Sequence, residues 1–164
     1  MIERTLVLLK PDAVQRALVG EIVTRFERVG LKIVGLKMVL STDELGLAHY
    51  TEDITKRKGE HIRKGLVEYL KTGPVIAFVL EGVSAIEVVR KMTGPTEPKA
   101  ALPGTIRGDF AHVSYAFADD KRIMVKNLIH ASSDKADAER EVKLWFKESE
   151  LHSFRTVHDI HLLE

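Results

Sequence analysis

Thr5 to Leu9 is an almost wholly apolar run that stops at Lys10-Pro11-Asp12, which predicts a strand ended by a proline unable to donate to a ladder. Val19, Ile22, Val23 and Phe26 then recur at helical spacing as far as Gly30, so a helix follows. In the next stretch Val34, Leu36, Met38 and Leu40 alternate with Gly35, Lys37 and Val39. Only lysine and glycine interrupt the second face, and a strand partly covered on both sides is expected. Ser41-Thr42-Asp43-Glu44 matches a capping box that opens a short helix over Leu45 to Tyr50. Glu52 to Lys64 is rich in charge and contains Gly59, so a loop is expected there, with helix from Ile62 to Leu70 ending at Gly73-Pro74. Val75 to Leu80 is continuously apolar between turn signals, the pattern of a central strand buried on both faces. Ser84-Ala85-Ile86-Glu87 gives a second capping box and a helix to about Met92.

From Gly94 to Gly108 the periodicity vanishes among Pro95, Pro98 and Pro103, and a loop of that length inside a compact domain is usually functional. Phe110 to Asn127 reads as a hairpin turning at Ala118-Asp119-Asp120-Lys121, and Ile123 to Ile129 is the last strand-like run. Ala138, Val142, Trp145 and Phe146 mark a final amphipathic helix, after which Glu148 to Glu164 is irregular. The order fits an α+β fold of ferredoxin-like βαββαβ plan: a four-stranded antiparallel sheet covered by helices, with a long Pro/Gly loop and an inserted hairpin, in one domain over residues 1–164. The plan by itself carries no chemistry.

Composition narrows the function classes. The 164 residues are 45% apolar and 30% charged, ordinary for a globular chain. Lysine plus arginine number 25 against 24 acids, a net charge of +1, so no bulk field holds nucleic acid or an anionic membrane. The absence of cysteine removes thiol nucleophiles and cysteine metal sites, and sits most easily with a cytoplasmic protein. No stretch approaches the roughly 18 apolar residues of a membrane span, and the N-terminal apolar run is too short for a signal peptide.

The chain lacks Gly-x-x-x-x-Gly-Lys, Gly-x-Gly-x-x-Gly, Gly-x-Ser-x-Gly and His-Glu-x-x-His, so any bound phosphate must be held by side chains. Among seven histidines, His130 closes Asn127-Leu128-Ile129-His130 where a strand gives way to a helix, with the small Ala131, Ser132 and Ser133 beside it. Glu141 lies on the flank of the following helix that faces back toward this strand end. A carboxylate there can orient one imidazole nitrogen and leave the other as nucleophile, although a histidine merely packed at a strand terminus has the same spacing. Arg107, between small residues in Thr105-Ile106-Arg107-Gly108-Asp109, offers a planar donor fork to a phosphate, and Arg90 on the preceding helix makes a clamp plausible. Lys10 is fixed by the proline after it, and Thr96 sits in a turn stiffened by Pro95 and Pro98. His152, His158 and His161 fit no compact ligand set and are assigned to surface or interface packing; Lys56-Arg57-Lys58 reads as a solvated loop.

Lys10-Pro11-Asp12, Pro103-Gly104-Thr105-Ile106-Arg107-Gly108-Asp109-Phe110 and Asn127-Leu128-Ile129-His130-Ala131-Ser132 occur in one order, and with them the chain resembles the nucleoside diphosphate kinases over almost its full length. The resemblance implies a ferredoxin-like subunit that assembles into homohexamers, alternatively homotetramers. It implies that the γ-phosphate of a nucleoside triphosphate such as ATP or GTP passes to a histidine and then to a diphosphate such as ADP, with little base specificity. By matching position, His130 is the phosphohistidine nucleophile, Ser132 and Glu141 support it, and Lys10, Tyr50, Arg90, Thr96, Arg107 and Asn127 contact the substrate. Mg²⁺ rides on the nucleotide phosphates without protein ligands.

Three departures accompany the resemblance. The family's Pro-Phe-Phe, one ring of which stacks on the base, is missing from Glu52 to Lys64, where Ile62 is the nearest apolar candidate for base contact. Phe110 to Asn127 is longer than the family pattern. The acid that commonly follows the histidine is displaced to Asp134 behind Ala131-Ser132-Ser133. Two alternatives stay open at this level. One is a nucleotide-sensing or protein-interaction module of weak activity. The other is a single-stranded nucleic-acid binder, opposed by the few aromatics and the small net charge.

Overall fold

A computed structural model describes residues 1–163. Its elements are β1 (Ile2–Leu9), α1 (Pro11–Gln15), α2 (Val19–Arg28), β2 (Lys32–Val39), α3 (Asp43–His49), α4 (Glu52–Lys58), α5 (Glu60–Leu70), β3 (Val75–Val83), α6 (Ala85–Thr93), α7 (Ile106–Phe110), α8 (Tyr115–Lys121), β4 (Ile129–Ala131) and α9 (Lys135–Trp145). The strands form one antiparallel sheet in the order β2-β3-β1-β4. This is the α+β, ferredoxin-like arrangement expected from the sequence.

Strand alternation divides the core between the two faces of the sheet. Val7, Leu9, Ile76, Phe78 and Leu80 pack with Ile22 and Phe26 of α2 and Ala85 and Val89 of α6. Leu6, Leu8, Val75, Ala77 and Val79 pack with Tyr50, Val67 and Leu70 on one side and Val142, Trp145 and Phe146 on the other. Val75 to Leu80 is buried throughout, as a central strand requires.

Several sequence expectations give way. The hairpin over 110–127 is not formed: Ser114 Oγ accepts from Phe117 N at 3.2 Å and starts α8, and Arg122, in the left-handed region, ends it. The strand-like run Ile123 to Ile129 finds a ladder partner only from Ile129 onward, where β4 pairs with β1. Glu52 to Lys64 is helical rather than looped. Side-chain pairs one turn apart, Asp53 with Arg57 at 2.6 Å and Glu60 with Lys64 at 3.7 Å, help it, and Gly59 at φ 94° separates α4 from α5. Thr42, not Ser41, caps α3 by accepting from Leu45 N at 3.1 Å. Ser84 caps nothing; Glu3 Oε2 takes the Ile86 N–H at 3.2 Å in its place. The long loop holds a 3₁₀ turn at Pro98–Ala100 and yields to α7 at Ile106.

On β2, the edge strand, a register irregularity between Ile33 and Gly35 puts Leu36 and Met38 on a face left 52% and 63% exposed, with Leu40 just beyond the strand 71% exposed, so the expected cover on both sides is absent there. The C-terminal segment crosses the other face, donating from His152 N to Val34 O at 2.7 Å, and a side chain at Gly35 would collide with Leu151 and the Glu150 carbonyl. The segment read as irregular contains turns at Glu148–Glu150 and Asp159–Leu163, and its last residue, 164, lies outside the described residues.

Candidate active site

The edge strand β4 is only three residues long, yet it delivers His130 beside Leu8 of β1. The approach to it is strained. Leu128 is buried with φ 68°, in a tight three-residue turn closed by Ile129 N donating to Asn127 O at 2.7 Å. Asp12 Oδ2 accepts from Leu128 N at 3.0 Å, and Lys10 N donates to Leu128 O at 2.8 Å. The Lys10-Pro11-Asp12 bend therefore pins the turn that aims His130.

His130 Nε2 lies 2.8 Å from Glu141 Oε2, and the same oxygen accepts from Ser132 Oγ at 2.7 Å. Arg140 Nη2 donates to the other carboxylate oxygen at 3.2 Å. Glu141 is buried on α9, and Ser132 is itself fixed by accepting from Leu6 N at 3.3 Å. The carboxylate therefore has no freedom to leave the ring. With Nε2 committed to it, the nitrogen available for attack is Nδ1.

Around the histidine opens a cavity of about 970 Å³ lined by Lys10, Tyr50, Ile62, Arg90, Thr96, Arg107 and Asn127, together with His130 and Glu141. Of the site residues expected from sequence, only Ser132 stays behind the wall, where its bond to Glu141 suits a supporting group. Arg107, from α7, is buried; its Nε donates to Asn127 O at 3.1 Å, Nη1 to Gly94 O at 2.9 Å and Nη2 to Ile129 O at 2.5 Å. One guanidinium thus joins the end of α6 to both sides of the strained turn. Gly108 beside it admits no side chain, because a Cβ would lie 2.0 Å from the Leu102 carbonyl oxygen. Lys10 Nζ donates to Asn127 Oδ1 at 2.7 Å, and Asn127 Nδ2 donates to Thr96 O at 2.8 Å, so lysine, amide and proline-stiffened turn form one chain of bonds.

Burial has electrostatic consequences. It pushes the Lys10 ammonium down to about 7, helped by the nearby Arg107 charge and opposed by Asp12. It lowers Arg107 to about 10, where Arg90 adds to the fall. A polyanion entering the cavity would supply the countercharge both groups lack. The Tyr50 phenol is pushed up by burial and by the Glu141 carboxylate, so it stays protonated, with its buried hydroxyl unpaired among the described residues.

Two residues escaped the sequence reading. His49, at the end of α3, is buried with its ring 4.4 Å from that of His130, and Trp145 Nε1 donates to its Nδ1 at 3.3 Å. Burial, then His130, hold it well below the usual imidazole range, so it stays neutral. Its position next to Tyr50 was the available signal. Asp12 lay inside a recognised motif, but its partner is remote in sequence. Among the described residues, the one cluster able to reach a common metal is His49, His130 and Glu141. It offers two imidazole nitrogens and one carboxylate already bonded to His130, unlike the oxygen shell that Mg²⁺ demands. No helix among the described residues is long and apolar enough to cross a membrane.

Comparison with known proteins is consistent throughout. The family model described as nucleoside diphosphate kinase matches residues 3–151. The nucleoside diphosphate kinase of Pyrococcus abyssi is 51% identical over 158 residues, covering 96% of this chain and 92% of that protein. That of Borreliella burgdorferi is 46% identical over 156 residues, covering 94% and 93%. Among solved structures, a transition-state mimic of nucleoside-diphosphate kinase from Borrelia burgdorferi with bound vanadate and ADP superposes with a TM-score of 0.95 at 45% identity, covering 98% of this chain and 96% of that one. A halophilic nucleoside diphosphate kinase from Halobacterium salinarum in complex with CDP superposes with a TM-score of 0.84 at 38% identity over 100% of both chains.

Proposed function

The chain belongs to the nucleoside diphosphate kinase family and passes the γ-phosphate of a nucleoside triphosphate to a nucleoside diphosphate, and we propose that the phosphoryl group travels on Nδ1 of His130. The observation that carries this reading is the Glu141–His130 bond of 2.8 Å inside a cavity also lined by Lys10, Arg90 and Arg107. In the first half-reaction the Nδ1 lone pair attacks the γ-phosphorus. The bond to the bridging oxygen breaks, and its electron pair leaves on the β-phosphate of the departing diphosphate. The ring keeps its proton on Nε2, and the positive charge that develops there is balanced by Glu141. In the second, a β-phosphate oxygen of the acceptor attacks, the phosphorus–nitrogen bond breaks and its pair returns to Nδ1. Two half-reactions at one site give ping-pong kinetics.

Phosphoryl transfer asks mainly for in-line placement and for cations around the migrating group. Arg107 and Arg90 supply the charge, Thr96 a hydroxyl, and Tyr50 a neutral donor. Lys10 and Asn127 hold the sugar hydroxyls and their neighbouring phosphate. Two carboxylates of the cavity are engaged by the protein, Glu141 with His130 and Asp137 with Arg140 at 3.1 Å. Mg²⁺, which would neutralise phosphate charge when present, is assigned to the nucleotide phosphates in this reading. The base is placed against the apolar lining at Ile62, where contact without base-edge hydrogen bonds is in keeping with little base specificity.

Assembly into a homohexamer, or alternatively a homotetramer, is part of the proposal and is supported by the exposed apolar edge of β2. A cytoplasmic location is supported by the lack of cysteine. His130→Gln tests the core of the reading. It should abolish both labelling by γ-³²P-ATP and nucleotide exchange, by about 10⁴-fold or more, with unchanged circular dichroism; retained exchange would assign the nucleophile elsewhere.

A further inference from the structure

The segment read from the sequence as an inserted hairpin does more than bridge Phe110 to Asn127, because it holds α8. Its helix, α8, presents Tyr115 and Asp119, one turn apart, to the cavity, while Phe117 points away from it. The start of the helix is fastened to the turn that carries Thr96. Tyr115 N donates to Glu97 Oε1 at 2.8 Å, Lys99 N donates to Val113 O at 3.2 Å, and Ser114 caps the first turn. Tyr115 is therefore held at the rim by its own backbone, before any ligand arrives.

Of the two tyrosines lining the cavity, Tyr50 is buried, whereas Tyr115 leaves 40% of its surface open. Its phenol lies within electrostatic reach of the Arg107 guanidinium, in the cavity that Arg90 and Thr96 also enter. Three of the five N–H donors of Arg107 are committed to backbone carbonyls, so a phosphate bound there has unfilled acceptor capacity. Building on the phosphotransfer reading, we propose that Tyr115 is a substrate-contacting residue contributed by the segment between Phe110 and Asn127, its phenol hydroxyl donating to the non-migrating β-phosphate of the nucleotide beside Arg107. A phenol suits this place because it adds a donor without a further cation in a cavity that already holds Lys10, Arg90 and Arg107.

The experiment compares wild type, Tyr115→Phe, Tyr115→Ala and Phe117→Leu, using ADP titration by calorimetry, melting temperature and the ATP concentration dependence of phosphoenzyme formation. Loss of one hydrogen bond to a charged acceptor should weaken ADP binding and raise the ATP half-saturation of Tyr115→Phe by about tenfold. The saturated rate and melting temperature should stay near wild type, and Phe117→Leu should bind as wild type does. Wild-type ADP affinity in Tyr115→Phe overturns the proposal. If Tyr115→Ala is then weak, the ring rather than the hydroxyl contacts the ligand. Failure of the phosphotransfer reading is separately visible, since wild type itself would then take up no label from ATP.

Discussion

The floor and the mouth of the cavity are built in opposite ways. On the floor, Lys10, Arg107, Asn127, Ser132 and Glu141 are all buried, and each is bonded to backbone or to another of the set. At the mouth, α4 buries no residue and α8 buries only Ala118. The reacting phosphate and a sugar hydroxyl are common to every nucleoside triphosphate, so the groups that meet them can be fixed once, and burial makes their hydrogen bonds hard to exchange for water. The base varies between substrates, and a lightly packed rim can adjust to it at small cost. The contrast also separates what a mutation should do: rate changes arise on the floor and affinity changes at the mouth.

The largest effect that would break this division is at Arg107. Removing its guanidinium takes charge from the migrating phosphoryl group and a donor from the Gly94, Asn127 and Ile129 carbonyls, so Arg107→Ala should lower the phosphorylation rate constant by about 10²- to 10³-fold and reduce the melting temperature. Rapid-quench kinetics at saturating ATP check the first part and calorimetry the second. An unchanged rate constant would place the arginine outside the reaction.

Lys10 sharpens the comparison through pH. Its folded-state value of about 7 lies below the ordinary 10.5, so between these values the unfolded chain binds more protons than the folded one. The cost of burying the charged form is full below about pH 7 and is relieved as pH rises toward 10. Relative to Lys10→Met, wild type should therefore gain stability across that window, measured by denaturant titration at several pH values. A bound diphosphate favours the charged form, so ADP binding at pH 8 should take up a proton in wild type and none at this position in Lys10→Met. Calorimetry in buffers of different ionisation enthalpy reads that difference.

The smallest effect belongs to the mouth. Ile62 lines the cavity beside Ile54 and Leu66, and the stretch Glu52 to Lys64 that carries it has no aromatic. Ile62→Phe should strengthen ADP binding by about fivefold, the low end of base–aromatic stacking, and leave the phosphorylation rate constant unchanged. A change in rate without a change in affinity would show that the two ends are not separable.

The same division explains how much could be read from the chain. Period-two and period-3.6 patterns gave the sheet and its main helices, because those patterns record burial on one face. The short segments Lys10-Pro11-Asp12, Arg107-Gly108-Asp109 and Asn127 to Ser132 flagged the floor, since close packing of backbone and phosphate leaves few residue types possible. Partners remote in sequence were invisible: Asp12 on Leu128 N and the His49–Trp145 pair follow from tertiary packing alone. The helices at the mouth were misread for a different reason. Glu52 to Lys64 and Tyr115 to Lys121 bury too little to impose an apolar period, and they form through exposed charge pairs and caps that resemble loop chemistry. The exposed face of β2 likewise carries the apolar pattern of a covered strand, a pattern that assembly would account for.

The central claim is that one imidazole nitrogen carries the phosphoryl group between two nucleotides, and mapping the charged enzyme tests it most directly. Wild type treated with ATP, digested and kept alkaline throughout, should yield a single phosphopeptide containing His130, with phosphorus on Nδ1 by ³¹P resonance, and ADP should discharge it before digestion. Phosphate on any other residue, or an adduct at His130 that ADP cannot remove, would contradict the account.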